Sequence, residues 1–511
     1  MNRIVDILLT DLRYLIGDLG KDGGLIGPSV YDTAQVLRMA PPAEDRWPAL
    51  DWLLGQQQPD GGWGDPAVPR ARDVPTLAAV LALHIYSKRK ITHDAIHAGL
   101  TFLRQQAVHW TGALTDDIPV GVELLLPRLL EEVTAAGLKV PTAPYTALIA
   151  LGQRRRRMIA QIHPRACTTA VHSWEAWGTE PDANLLDRSG GVGHSPAATA
   201  AWLRAADGRA DLEDACRAAQ HYLEHAAAAT GTDIPGVVPT VWPISRFEQS
   251  NALYALLAAG LLDHPRLSDV VQAQLTDLAA ALRPDGLGMS DLFITDGDDT
   301  AEAIAVLHSA GYPVEHTVLQ RFANDDHFCA YGGELQPSLS VTAHAVHVLT
   351  LFKQDYDHPV SYITERQLPD GRWPGDKWNG SWLYTTSHAI VALTGAGQRE
   401  AIRQAADALL THQHVNGSWG IHGSTVEETA YAILGLRAAV SEGIVNGAAR
   451  DALARAEKWM LDHYRPFSHS TSTCWLGKET YRPLRLARMI ELVATVPSIA
   501  VAVPITLPAA A

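Results

Sequence analysis

An all-α fold of stacked helical hairpins follows from two recurrences and one scarcity in this sequence of 511 residues. The first recurrence is Gln-x-x-x-Gly-x-Trp, at Gln57/Gly61/Trp63, Gln367/Gly371/Trp373 and Gln413/Gly417/Trp419. The second is Thr-x-x-Ala-x-x-x-Leu, at Thr76/Ala79/Leu83, Thr300/Ala303/Leu307, Thr342/Ala345/Leu349, Thr386/Ala389/Leu393 and Thr429/Ala432/Leu436, the last four threonines spaced by 42, 44 and 43 residues. Positions i, i+3 and i+7 share one helical face, so each unit reads as a Gly-rich turn followed by a helix with a small, smooth inner face. The scarcity is of alternating β-branched runs, which leaves no competing strand reading.

In chain order, Thr33 precedes Thr76 by 43 residues, and only looser echoes, near Ser195 and Ser250, occur before Thr300. Two related helical domains, one degenerate and one regular, account for this. Further amphipathic stretches, such as residues 407–412 and 451–463, supply the second helix of each unit. A period near 43 residues holds two helices and their connections, stacked in a ring or a solenoid. The repeated Gln and Trp are expected to pack one hairpin on the next.

The 41 basic and 56 acidic side chains leave a net charge of −15, which disfavours nucleic acid and anionic lipid as partners. A composition of 47% hydrophobic and 19% charged residues belongs to a well-packed globular protein. Cys167, Cys216, Cys329 and Cys474 are too dispersed for a metal site or a disulfide framework, which fits a reducing compartment. Arg3, Asp6, Asp11, Arg13 and Asp18 interrupt any signal-peptide core, so a cytoplasmic location is expected. The uncharged tail over 493–511 contains Pro497, Pro504 and Pro508 and reads as an extended segment without stable membrane insertion.

The densest chemistry is a DxDD cluster, Asp296, Asp298 and Asp299, at the start of a repeat helix. Like charges a few Å apart raise at least one pKa, so one proton is held, and a held proton in a dry site is a strong general acid. Helix capping explains Asp296 or Asp299 alone but does not need all three. A calcium loop counted from Asp296 fails, with Ala301 where Gly is required and Leu307 where the closing Glu is required. Asp298-Asp299-x-x-Glu302 as a magnesium motif lacks its usual companion, because residues 324–328 carry no hydroxyl side chain. A glycosidase would hold its two carboxylates on separate elements across a groove. A helical-repeat binding scaffold would explain the period and leave the acid cluster unexplained.

DxDD followed by Thr-Ala, together with the Gln/Trp repeats, resembles the class II diterpene cyclases of the copalyl diphosphate synthase type, distant relatives of squalene-hopene cyclase. Landmarks over residues 29–34, 118–123, 168–175, 238–248 and 475–482 recur in the family's order. The resemblance implies two α-barrels, β over 1–21 plus 266–511 and γ over 22–265, with the cavity between them. It implies that Asp298 protonates the terminal alkene of a linear prenyl diphosphate while Asp296 and Asp299 hold its proton in place. Arg154 and Arg157, from the one dense basic run, and Lys478 are the expected diphosphate anchors, with Mg2+ accompanying the diphosphate through ligands the sequence does not identify. Trp242 and Trp382 are expected cavity walls. His172 matches a family position that holds the terminating water, where Thr240 replaces the usual Asn. His344 is a candidate partner for the acid, since Val346 stands where plant members carry a supporting Asn. The implied reaction converts geranylgeranyl diphosphate into a bicyclic copalyl-, labdane- or clerodane-type diphosphate with the diphosphate retained; farnesyl diphosphate giving a drimenyl product is the alternative. A downstream class I terpene synthase is the implied partner.

Overall fold

The computed structural model describes residues 2–496 apart from 44, 87–88, 116–117, 167, 335 and 469–472; the apolar tail beyond Val496 lies outside the described residues. Six helices, Ser245–Ala258, Gly297–Ser309, Leu339–Leu351, Trp382–Gly395, Val426–Ser441 and Leu484–Thr495, pack each on the next, and the last closes on the first. An outer layer of Ser268–Ala281, Asp357–Glu365, Arg399–Thr411 and Gly447–His463 surrounds this ring. The first helix of the chain, Asn2–Asp18, completes the layer against Ser268–Ala281 and Leu484–Thr495. Small residues let the inner helices approach closely: a Cβ at Gly435 would lie 2.8 Å from the Ser387 hydroxyl.

A second ring runs through Val30–Met39, Asp73–Ile85, Val122–Ala135, Trp174–Trp177 and Pro196–Ala205, and again the last helix meets the first. Its hydrophobic core, from Tyr31 to Val237, is separate from the larger core that joins the N-terminal helix to residues beyond 228. The expected boundary at 266 is therefore too late. Leu253, Tyr254 and Leu256 of the Ser245–Ala258 helix belong to the larger core, so the Ser250 echo is part of the regular barrel. The one sheet among the described residues is a short antiparallel ribbon, Trp475–Leu476 with Thr480–Tyr481.

The repeated residues pin these rings. Each recurring threonine accepts a backbone N–H from the preceding turn: Thr76 from Trp63 at 2.9 Å, Thr300 from Leu287 at 2.9 Å, Thr342 from Phe328 at 3.1 Å, Thr386 from Trp373 at 3.1 Å and Thr429 from Trp419 at 2.9 Å. In the degenerate ring Thr199 does the same for Val192, and Thr33 accepts the Val238 N–H from a turn 205 residues later in the chain. Each tryptophan indole donates to a carbonyl ten residues back, that of Leu53, Ile363 or Leu409. The glutamine amides tie the turns to the following outer helices, Gln413 donating to Gly417 and Ala452 carbonyls at 2.9 Å each. The turn glycine must be glycine, since Gly417 has φ +94° and its Cβ would meet the Arg455 carbonyl at 2.8 Å.

Gln413→Ala removes both amide donors at once. At about 0.5–1.5 kcal/mol for each bond, stability should fall by roughly 1–3 kcal/mol. Denaturant titration checks this, and an unchanged midpoint would show that the turn is held by packing alone.

Candidate active site

The acid cluster caps the Gly297–Ser309 helix. Asp296 has extended backbone and accepts the Asp299 N–H at 2.8 Å, as an N-cap should. The residue between the first two aspartates is glycine because a Cβ at 297 would lie 2.4 Å from the Cys329 carbonyl. Asp299 is buried and accepts from Ser250 Oγ at 3.0 Å and Asn251 Nδ2 at 3.3 Å. Burial pushes its carboxyl up to about 7 against the hydrogen bonds from Asp296 and Ser250. Asp296 is raised well above the usual carboxylate range by burial and by Asp299. Glu302, one turn further along the same face, is raised likewise by burial and by Asp298.

Asp298 is the one member of the triplet that is partly exposed. Its Oδ1 lies 2.7 Å from His344 Nδ1, and His344 Nε2 lies 2.6 Å from His388 Nδ1. The fully buried His344 also stands 3.7 Å from Glu302. Asp298, Glu302 and His344 thus form a compact group inside the larger barrel. Beside it is a small cavity lined by Asn251, Tyr254, Glu302, Tyr384, His388, Tyr431 and Trp475 among others. The Tyr384 ring meets Tyr431 at 5.1 Å and Trp475 at 5.3 Å, edge to face. Such π faces stabilise a cation where water is absent. These aromatics come from three different elements, and only the ring closure reveals that they converge.

The expected tryptophans lie elsewhere. Trp242 packs on Tyr222 and His225 of the smaller domain, and Trp382 sits between Arg372 and His412, so neither lines this cavity. In the basic run, Arg154 and Arg157 are exposed, whereas Arg155 turns inward and pairs with Glu123 at 3.8 Å. Lys478 is fully buried and donates to Glu175 and Ser195 at 2.6 Å each, with Asp32 at 3.8 Å, and both carboxylates are buried with it, whereas Glu334, the partner of the buried Lys377, is partly exposed. His172 gives its Nδ1 to the Gly193 carbonyl at 2.8 Å, and burial, then the Lys478 charge, lowers its pKa to about 3, which keeps it neutral. Thr240 is buried beside Gly477, and its hydroxyl has no protein partner.

A different buried cation stands where the two domains meet. Lys377 is buried, pairs with Glu334 at 2.5 Å and donates to the Gln336 carbonyl at 2.7 Å. Glu123 feels both Arg155 and Lys377, so these four side chains gather where the two domains meet. Gln336, beside them, bonds the Ile118 carbonyl across that boundary at 3.3 Å.

Comparison with known proteins places this geometry. Residues 317–465 match the family described as squalene-hopene cyclase C-terminal domain. The chain is 49% identical over 508 residues to a (+)-kolavenyl diphosphate synthase of Herpetosiphon aurantiacus, covering 96% of this chain and 98% of the relative. It is 31% identical to a terpentedienyl-diphosphate synthase of Kitasatospora griseola, covering 90% of this chain and 94% of the relative. The structure of an ent-copalyl diphosphate synthase from Streptomyces platensis superimposes with a TM-score of 0.79 at 30% identity, over 96% of this chain and 99% of that one.

A proton held by the cluster must be present for protonation chemistry. With Asp299 near 7, the rate should fall about tenfold per unit as pH rises above that value. Stability carries the same sign. A carboxyl raised in the folded state contributes fully below its ordinary value near 4 and loses that contribution as pH rises through about 7. Asp299→Asn should therefore lose less thermal stability than the parent between pH 5 and pH 8, measured by melting curves at each pH.

Proposed function

This chain belongs to the class II diterpene cyclases, and we propose that Asp298 is its catalytic acid, that Lys377 and Arg155 receive the diphosphate, and that the product is of clerodane type. The reaction is a protonation-initiated cyclisation of geranylgeranyl diphosphate in which the diphosphate is retained. The observation that carries the acid reading is accessibility: of the aspartate triplet, Asp298 alone is partly exposed, beside an aromatic-lined cavity, while its neighbours are buried and raised.

The Asp298 proton passes to the terminal alkene, the adjacent double bonds close two rings, and Tyr384, Tyr431 and Trp475 face the tertiary cations that form. His344 supports the Asp298 carboxylate left behind. Successive 1,2-hydride and 1,2-methyl shifts carry the bicyclic cation from the labdane to the clerodane skeleton, and loss of a proton from the last cation ends the sequence; His172, with its Nδ1 engaged, and Thr240, with its free hydroxyl, are our choice for the pair that holds the receiving water. We take the cluster at the domain boundary as the mouth of the substrate site, and Mg2+ suits it, since Glu123 and Glu334 offer carboxylate oxygens beside the two cations. When bound, it would neutralise diphosphate charge. The clerodane assignment rests on the similarity to the kolavenyl enzyme. A product that keeps its diphosphate is a substrate for a class I synthase, which we propose as the downstream partner.

Incubation with geranylgeranyl and farnesyl diphosphates, then phosphatase treatment and mass and NMR analysis of the alcohols, tests the reading. A bicyclic clerodane alcohol from the C20 substrate is expected; a drimane from the C15 substrate alone would replace it. Asp298→Asn should lower turnover by roughly 10²–10⁴-fold with the fold intact. Lys377→Met should raise KM on the order of tenfold or more with kcat less affected, because an anchor is used equally before and during the chemistry. An unchanged KM would move the anchor away from the mouth.

A further inference from the structure

We propose that His388 is a positioning residue that fixes, through His344, which oxygen of Asp298 carries the reactive proton. The inference deepens the acid reading above and rests on it. The chain of contacts is short and directional: Asp298 Oδ1 to His344 Nδ1 at 2.7 Å, then His344 Nε2 to His388 Nδ1 at 2.6 Å. In the reactive state the Asp298 proton is on Oδ2, so Oδ1 can only accept. His344 Nδ1 must then donate, which in a neutral imidazole obliges its Nε2 to accept. His388 Nδ1 must therefore donate, and its Nε2 becomes an acceptor on the side of the cavity it lines.

Two further observations fit this direction. Burial drives the His388 pKa well below the ordinary imidazole value, so the ring has one donor and one acceptor to assign. Glu302 Oε2 and Tyr384 Oη, both buried and lining the same cavity, have no protein partner, and both carry hydroxyl protons when neutral. Burial raises both groups, so neutral they are, and cavity water is the natural link from them to His388 Nε2. The titratable groups around the histidine pair are Asp298 and Glu302 from the acid helix, His347 from the helix of His344, and the Tyr254, Tyr384 and Tyr431 rings. His347 is occupied by the Tyr254 hydroxyl at 2.8 Å, and burial lowers it to about 4, so it does not compete as a cation. Without His388, His344 is free to carry its proton on Nε2, and its Nδ1 then draws the Asp298 proton to Oδ1, away from the alkene.

Three variants test this. His388→Asn keeps an amide donor near the place of Nδ1, His388→Phe keeps the ring and removes the donor, and His388→Gln keeps polarity but displaces the donor. The expected result is kcat lowered on the order of 10- to 100-fold in Phe and Gln with KM unchanged, and largely recovered in Asn. In Phe and Gln the basic limb of the pH–rate profile should also move to higher pH, because a hydrogen bond to the ionised carboxylate has been weakened. A merely structural role would make the smaller Asn at least as damaging as Phe and leave the limb in place. Parental kcat in Phe or Gln, or Asn no better than either, overturns the proposal; Gln keeps the test decisive if Phe does not fold. Asp298→Asn, assayed in parallel, separates the two readings: retained turnover there overturns the acid assignment itself, whereas its loss beside an unimpaired Gln variant overturns only the role of His388.

Discussion

Everything in the larger barrel answers to one constraint: a carboxyl group must stay protonated at the N-terminus of a helix. That location works against it, since the helix macrodipole and exposed N–H groups favour the anion by about 0.3–1 kcal/mol each, and Asp299 accepts two further side-chain donors. Burial and mutual repulsion oppose this, and they win: Asp296, Asp299 and Glu302 are all raised, with burial the largest cause each time. The cluster divides its work by depth. The buried carboxyls keep negative charge out of the site, and Asp298, alone partly exposed, pairs with His344 next to the cavity-lining Glu302 and His388.

That depth exists because the ring of six helices is held from outside. Thr300 accepts from Leu287 and Thr342 from Phe328, so the two helices that present Asp298 and His344 are each fixed at their first turn by the repeat hydroxyl. The same device recurs at Thr386 and Thr429, on the helices that carry Tyr384 and Tyr431, and in the smaller ring at Thr76. At the fourth residue of the Ser245–Ala258 helix, Glu248 replaces the threonine and accepts N–H groups from Gly20 and Leu25, which fastens the N-terminal segment to the barrel. Catalytic geometry is thus borrowed from the repeat, and only a few inner positions were changed to make it reactive.

This also explains what could be read from the sequence. The period, the all-α class and the DxDD cluster are local patterns, and each has a direct physical reading. Arg154 against Arg155 is not local: successive residues on the Thr146–Ile159 helix point about 100° apart, and only Glu123, brought in by another helix, selects the inward one. Trp242 and Trp382 do not line the cavity beside Tyr384 for the same reason, since aromatic content says nothing about which face closes on the ring axis. Lys377 carries no pattern at all, being a loop lysine whose place comes from Glu334 and the Gln336 carbonyl. His388 lies three residues beyond Thr385, inside a repeat helix, and is visible only through His344.

Lys478, removed from the list of anchors, has another part to play. Its ammonium lies fully buried among Glu175, Ser195 and Asp32, and the neighbouring Glu479 accepts from Ser29 Oγ and the Tyr31 N–H. Burial raises Asp32 to about 6 and Glu479 to about 8, so the cluster holds its charges at a cost, and a buried pair of this kind is weak support for stability. What it supplies is register. Asp32, Glu175 and Ser195 belong to the smaller ring, while Lys478 and Glu479 belong to the ribbon that begins at Trp475, a wall of the cavity. The mouth is built from both domains as well, Glu123 and Arg155 from one and Glu334 and Lys377 from the other. On the proposed assignment, the alkene end of a prenyl diphosphate anchored at this boundary reaches Asp298 only if the two rings keep a fixed separation, and directional buried bonds fix it where a greasy interface would allow sliding.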